Sequence, residues 1–242
     1  MKTVFLSSVV ASEWLKLRTV RSTYALLGAG AGILLPAAGI SAAMIADWDG
    51  STAEARALFA AADPGVLVMP FAQFCLAALG ALAITSEHAT GMIRTSSVAV
   101  PGRRRLFAAK AVVVAALGLA AGQLIALASM AAGHLLTGDR PAPIAAGTGL
   151  TDAVLQGLLL AASALVGLGL GALIRSTAGT FTALAALLFV LPALAAFLPW
   201  DVTAYMLPDL AALDAGPALL AMAGYGGAAL AAGAAAGRHR DV

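Results

Sequence analysis

Few residues in this chain carry groups that could do chemistry, and their spacing limits what that chemistry is. Three histidines, His88, His134 and His239, lie far apart, which is a poor arrangement for a metal or a catalytic triad. Cys75 is the sole cysteine, so neither a disulfide nor a thiolate cluster can form within one chain, and it reads as a small packing residue. The GxxxxGK[ST] loop that cradles nucleotide phosphates is absent, as are HExxH and GxSxG. No catalytic, metal or cofactor site is therefore predicted. Two groups of polar residues remain. Gln73, Gln123, Gln156 and Tyr225 stand inside apolar stretches, where they either hydrogen-bond between helices or line a substrate path. Glu87, Gly91, Met92, Ile93 and Arg94 stand in ITSEHATGMIRTSSVAVPGRRR, where apolar Met92 and Ile93 sit between a carboxylate and a guanidinium and Gly91 permits a turn.

The elements that must position these residues follow from composition. Residues of the AVILMFWYC set make up 61% of 242 positions and DEKR only 11%; soluble domains run at roughly 45–50% and about 25%. Six stretches lack Asp, Glu, Lys and Arg altogether: Ser22 to Ala46, Pro64 to Ser86, Ala111 to Gly138, Ala153 to Ile174, Ser176 to Trp200 and Ala215 to Gly237. A helix of about 20 residues crosses a hydrocarbon core of about 30 Å. The predicted fold is all-α, with six transmembrane helices at approximately 22–46, 64–86, 108–137, 151–174, 177–199 and 214–237 in a single domain covering 1–242. Barrel strands are excluded because the stretches lack polar alternation. The first stretch is too long for a cleavable signal peptide and is predicted to stay in the mature chain.

With the N-terminus inside, twelve of the fourteen Lys and Arg residues fall on the cytoplasmic side and only Arg56 and Arg140 outside. The positive-inside rule thus places both termini in the cytoplasm of a multi-pass cell-membrane protein. These cations form a fringe along the membrane, which argues against nucleic acid as a partner. Trp14, Trp48 and Trp200 fall beside span ends, as an aromatic belt requires. Gly28 with Gly32, Gly118 with Gly122, Gly167 with Gly171 and Gly233 with Gly237 match the close-packing pattern GxxxG.

Ahead of the first span, TVFLSSVVASEWLKLRTVR puts Leu6, Val9, Val10, Trp14, Leu17 and Val20 on one helical arc. That predicts an interfacial amphipathic helix that uses membrane lipid as a partner, with Glu13, Trp14, Lys16, Arg18 and Arg21 as its polar and anchoring residues. Glu13 falls inside the apolar arc and needs a cation, such as Lys16 or an arginine of the next loop.

The segments SEWLKLRTVRSTY, ITSEHATGMIRTSSVAVPGRRRLFAAKA, PWDVTAYMLPDLAALDAGPAL and RHRDV, in this order and spacing, resemble the actinobacterial permease subunits of ABC-2 type transporters. The resemblance implies six-helix permeases that pair in the membrane as a homodimer or heterodimer. It also implies a separate ATP-binding subunit beneath each, and a short cytoplasmic coupling helix between spans two and three, at Glu87 to Val100. The outer connection at 201–214 departs from the family pattern, with Pro208-Asp209-Leu210-Ala211-Ala212. On this reading the chain is a transport subunit that is not itself an enzyme, exporting an amphipathic or lipid-like substrate. The alternatives are a membrane anchor or signalling partner on the same scaffold and an ion-coupled carrier; charge-free spans oppose the carrier.

Overall fold

The structure, a computed structural model, describes residues 2–91, 103–141, 143–144, 149–198 and 202–239. All of the regular structure among them is helical. Helix α1 covers Lys2–Thr19, and the first span follows as α2 (Arg21–Gly32) and α3 (Leu34–Gly50). The break between them has a local cause. Pro36 has no N–H for the Gly32 carbonyl, while Ile33 N still bonds Ala29 O at 3.3 Å and Ala37 N bonds Ile33 O at 3.1 Å, so the chain bends and continues. A single turn, α4 (Ala53–Arg56), starts on the Thr52 hydroxyl, which accepts from Ala55 N. Then come α5 (Gly65–Ala89), α6 (Arg103–Thr137) and α7 (Leu150–Ile174).

The fifth span is interrupted. Helix α8 (Thr177–Ala185) runs into a π turn at Ala186–Val190 and resumes as α9 (Leu191–Ala195). Pro192, at the start of α9, lacks the N–H that an α-turn would need there, which accounts for the wider turn before it. Two 3₁₀ turns, Thr203–Tyr205 and Leu207–Ala212, lead to α10 (Ala215–His239).

Six helical segments are long and apolar enough to cross a membrane: Arg21–Gly50, Gly65–Ala89, Arg105–Thr137, Leu150–Ile174, Thr177–Ala195 and Ala215–Ala236. This is the architecture of a multi-pass membrane protein. The boundaries differ from the sequence-based ones in two places that matter. Glu87 belongs to the last turn of α5, and α6 already begins at Arg103, so the segment between spans two and three narrows from 87–110 to 90–102. Met92, Ile93, Arg94 and most of the expected coupling helix lie outside the described residues. The expected fifth span also ends earlier, at Ala195.

Helix α7 is the centre of the bundle, packed against α5, α6 and α10, and most of its length is buried. Small residues set that approach. A Cβ on Gly167 would fall on the Ala77 carbonyl of α5, and one on Gly80 of α5 on the Ala164 carbonyl of α7. Gly118 and Gly122 of α6 and Gly233 of α10 also face α7, whereas Gly28 and Gly32 meet nothing within 4 Å. Both glycines of the second match, both of the third and Gly233 of the fourth therefore contribute to packing inside the chain, and the first match does not. With lipid as apolar as leucine, such backbone contact is what holds helices together in a membrane. The connection at 202–214 closes over one end of the bundle, with Leu207 and Leu210 buried beside Leu155, Leu159, Leu184 and Ala218.

At that same end Arg56 and Arg140 cap helices. Arg56 donates from Nε to Trp48 O at 2.9 Å and from Nη2 to Asp49 O at 2.6 Å, satisfying carbonyls at the end of α3. Arg140 bonds the Leu136 and Thr137 carbonyls of α6 and pairs with Asp49 at 2.8 Å. Trp48 departs from the expected belt position. It is 8% exposed, packed with Ile45, Ala62 and Ile144, and Arg56 lies over its ring at 4.5 Å.

Candidate functional site

At the other end of the bundle four charges meet inside the protein. Glu13 and Lys16 come from α1, one turn apart; Glu87 comes from the last turn of α5; Lys110 comes from the first turns of α6. Lys110 Nζ lies 2.5 Å from Glu13 Oε2 and 3.0 Å from Glu87 Oε1. Lys16 Nζ lies 2.6 Å from Glu13 Oε1 and 2.9 Å from Glu87 Oε1. The four groups form a closed ring in which every charge touches two of opposite sign, and the ring as a whole is neutral.

Burial makes this ring costly to assemble and costly to break. Glu13, Glu87 and Lys110 are 2%, 4% and 5% exposed. Taking such ions out of water costs several kcal/mol each, which only close, multiple contacts recover. Glu87 carries a second burden, since it stands at a helix C-terminus where the dipole disfavours an anion. Two lysines offset it. Lys16, the most accessible member, is pulled down by burial, yet its hydrogen bonds and attraction to Glu13 and Glu87 together outweigh this and hold its pKa above the usual lysine value.

The local sequence explains why these residues reach one another. Val9, Glu13 and Leu17 share one face of α1 at four-residue spacing, and Val9 and Leu17 are buried with Glu13 between them. Val9 packs with Leu106 and Ala109 of α6, which sets Glu13 beside Lys110. The expected arc of α1 is thus divided: Val9, Val10 and Leu17 turn to the bundle, while Trp14 and Val20 are 41% and 44% exposed. Arg18 and Arg21 are exposed on the outside of this corner.

A cavity of about 70 Å³ adjoins the ring, with Glu13, Lys16, Glu87 and Lys110 in its wall together with Ser22, Thr23 and Leu26 of α2 and Leu79 and Leu82 of α5. The structure therefore brings Glu13, Lys16 and Glu87 of the sequence-predicted residues into one site and adds Lys110, which sequence reasoning counted only among the surface cations. Its signal was its position: Lys110 is a lone charge inside LFAAKAVVV, several residues into an apolar helix. Glu87 faces the bundle interior, so its carboxylate is not presented to a partner. Gly91, in contrast, is exposed with φ +71, and no described residue lies within 4 Å of where a Cβ would stand; this is a left-handed conformation that suits glycine.

The four polar residues of the spans do not gather. Gln123 donates from Nε2 to Val154 O at 3.0 Å, bridging α6 and α7, and Tyr225 donates from its hydroxyl to Tyr205 O at 3.1 Å. Gln73 is 1% exposed, with Nε2 unpaired, and Gln156 is half-buried on α7. None of them lines the charged cavity. Comparisons with protein families, with curated proteins and with solved structures return no match for this chain.

Proposed function

We propose that the chain is the transmembrane permease subunit of an ATP-driven ABC-2 type transporter, working with a separate ATP-binding subunit and a second permease subunit. The observation that carries this reading is the charge ring, taken with the sequence resemblance. The ring ties Glu87, before the 90–102 segment, and Lys110, after it, to each other and to α1. A protein pushing on 90–102 from below would meet a braced base, so displacement would pass to α1 and spans two and three together. Coupling contacts then fall to Gly91, Met92, Ile93 and Arg94, with Glu87 holding the base from within. The positive fringe puts this end, and both termini, in the cytoplasm, with Trp14 and Arg18 of α1 at the inner interface. Apolar, charge-free spans suit export of an amphipathic or lipid-like cargo.

Two measurements test this reading. The purified chain in detergent is expected to show no saturable ATP hydrolysis, and chain captured from its native membranes is expected to bring an ATP-binding subunit with it and hydrolyse ATP in that complex. Saturable turnover by the isolated chain, or native capture without an ATPase, overturns the proposal. For topology, reporters within 47–63 are expected outside, and reporters within 90–102 or after Val242 in the cytoplasm. A cytoplasmic signal from 47–63 reverses the orientation.

A further inference from the structure

The fifth span can close its backbone in two ways. In its π turn Leu191 N donates to Ala186 O, five residues back rather than four. Pro192 is the cause: in a regular α-helix its ring would strike the Leu188 carbonyl, and it has no N–H to donate there. Regular winding would keep Leu191 N bonded, now to Leu187 O, and would lose nothing at Pro192, which has no bond to lose. The two windings therefore differ by one ring clash. Changing between them turns whatever follows by about 100° and advances it by about 1.5 Å.

The two sides of this turn are held very differently. Before it, α8 is fixed to α5 and α7: Phe181 meets Phe74 edge to face at 6.1 Å, and Leu184 is fully buried. After it, α9 has its only extended contact, among the described residues, with the turn itself, and Leu191 and Leu194 are exposed. Within it, Leu188 is buried in one cluster with Leu207 and Leu210 of the 202–214 connection. The turn thus joins a fixed helix to a loosely held arm while gripping the connection to which that arm leads. We propose that the turn is a hinge: winding from π to α draws Leu188 away from Leu207 and Leu210 and lifts the connection from the end of the bundle that it covers. Lifting it uncovers Leu155, Leu159 and Ala218, an apolar surface of α7 and α10. The hinge needs no ATPase partner, and its test does not use one.

The test follows a thiol placed under the connection. Ala218→Cys, in a Cys75→Ala chain, stands where the structure leaves no exposure, and its reaction with N-ethylmaleimide in detergent reports each opening. Pro192→Ala removes the ring clash but keeps the extra residue of the turn, so α winding is favoured and labelling is expected to be about tenfold faster. Deleting Val190 as well removes the extra residue. The span is then a regular helix in its present register, with no second winding, and labelling is expected to be about tenfold slower than in the parent. Val190 is exposed, so its loss vacates no core position. A second thiol, Ala126→Cys in α6, is also fully buried and is expected to react at one rate in all three chains. Equal labelling of Ala218→Cys in the three overturns the hinge, as does a change of the same sign in both variants. Matching changes at Ala126→Cys mean general loosening and overturn it too. Where Pro192→Ala alone does not fold, the deletion variant decides: labelling no slower than in the parent overturns the proposal.

Discussion

Lys110→Met is expected to destabilise the protein by about 3–5 kcal/mol, the cost of removing one partner from a buried ion pair. Methionine keeps most of the length of the lysine stem, so the loss reports the charge more than the packing. Glu13 and Glu87 would remain buried with Lys16 as their shared cation, and two carboxylates on one ammonium leave a net negative charge in a space that water barely reaches. Lys16→Met is expected to cost less, since its side chain is 31% exposed and Lys110 would still touch both carboxylates. Adding Glu13→Gln to Lys110→Met leaves one anion facing one cation and is expected to recover part of the loss. The measurement is the unfolding midpoint of each purified variant in one detergent. Equal effects for the two lysines, or a double variant no better than Lys110→Met, would mean that the four charges do not act as a ring.

The spans were legible because one term dominates a membrane protein. A charge at membrane depth is so unfavourable that its absence over 22 to 28 residues marks each helix directly in the sequence. The ring was only half legible. Glu13 stood out as a carboxylate on an apolar arc that needed a cation, and Lys16 was within one turn, but the contact that completes the ring joins positions 97 residues apart. No periodicity within α1 or α6 encodes that pairing; it depends on how Val9 meets Leu106 and Ala109. Trp48 shows the same limit. Its position at a span end predicted the headgroup layer, and the folding of the next loop over it, with Arg56 on the ring, buried it instead.

The glycines allow a sharper separation, because the same motif gives opposite expectations at two places. Gly167→Ala puts a methyl group onto the Ala77 carbonyl, backbone against side chain, where no rotamer change can relieve it. Helices α5 and α7 would have to move apart, and the reciprocal contact of Gly80 with Ala164 would open with them. Overpacking of this kind costs about 1–3 kcal/mol, and more where both partners are rigid. Because α7 also carries α6 and α10, the damage is expected to spread, with loss of a cooperative unfolding transition rather than a small shift in its midpoint. Gly28→Ala, although it alters the same type of motif, adds its methyl to open space on the outward face of α2. There alanine only removes the entropic penalty of glycine in a helix, and the variant is expected to be more stable by roughly 0.5–1 kcal/mol. Unfolding of the two variants side by side in the same detergent decides the matter. Wild-type stability for Gly167→Ala would refute the close approach of α5 to α7. A loss at Gly28 as large as that at Gly167 would place another chain against α2, on a face that is bare within the single chain.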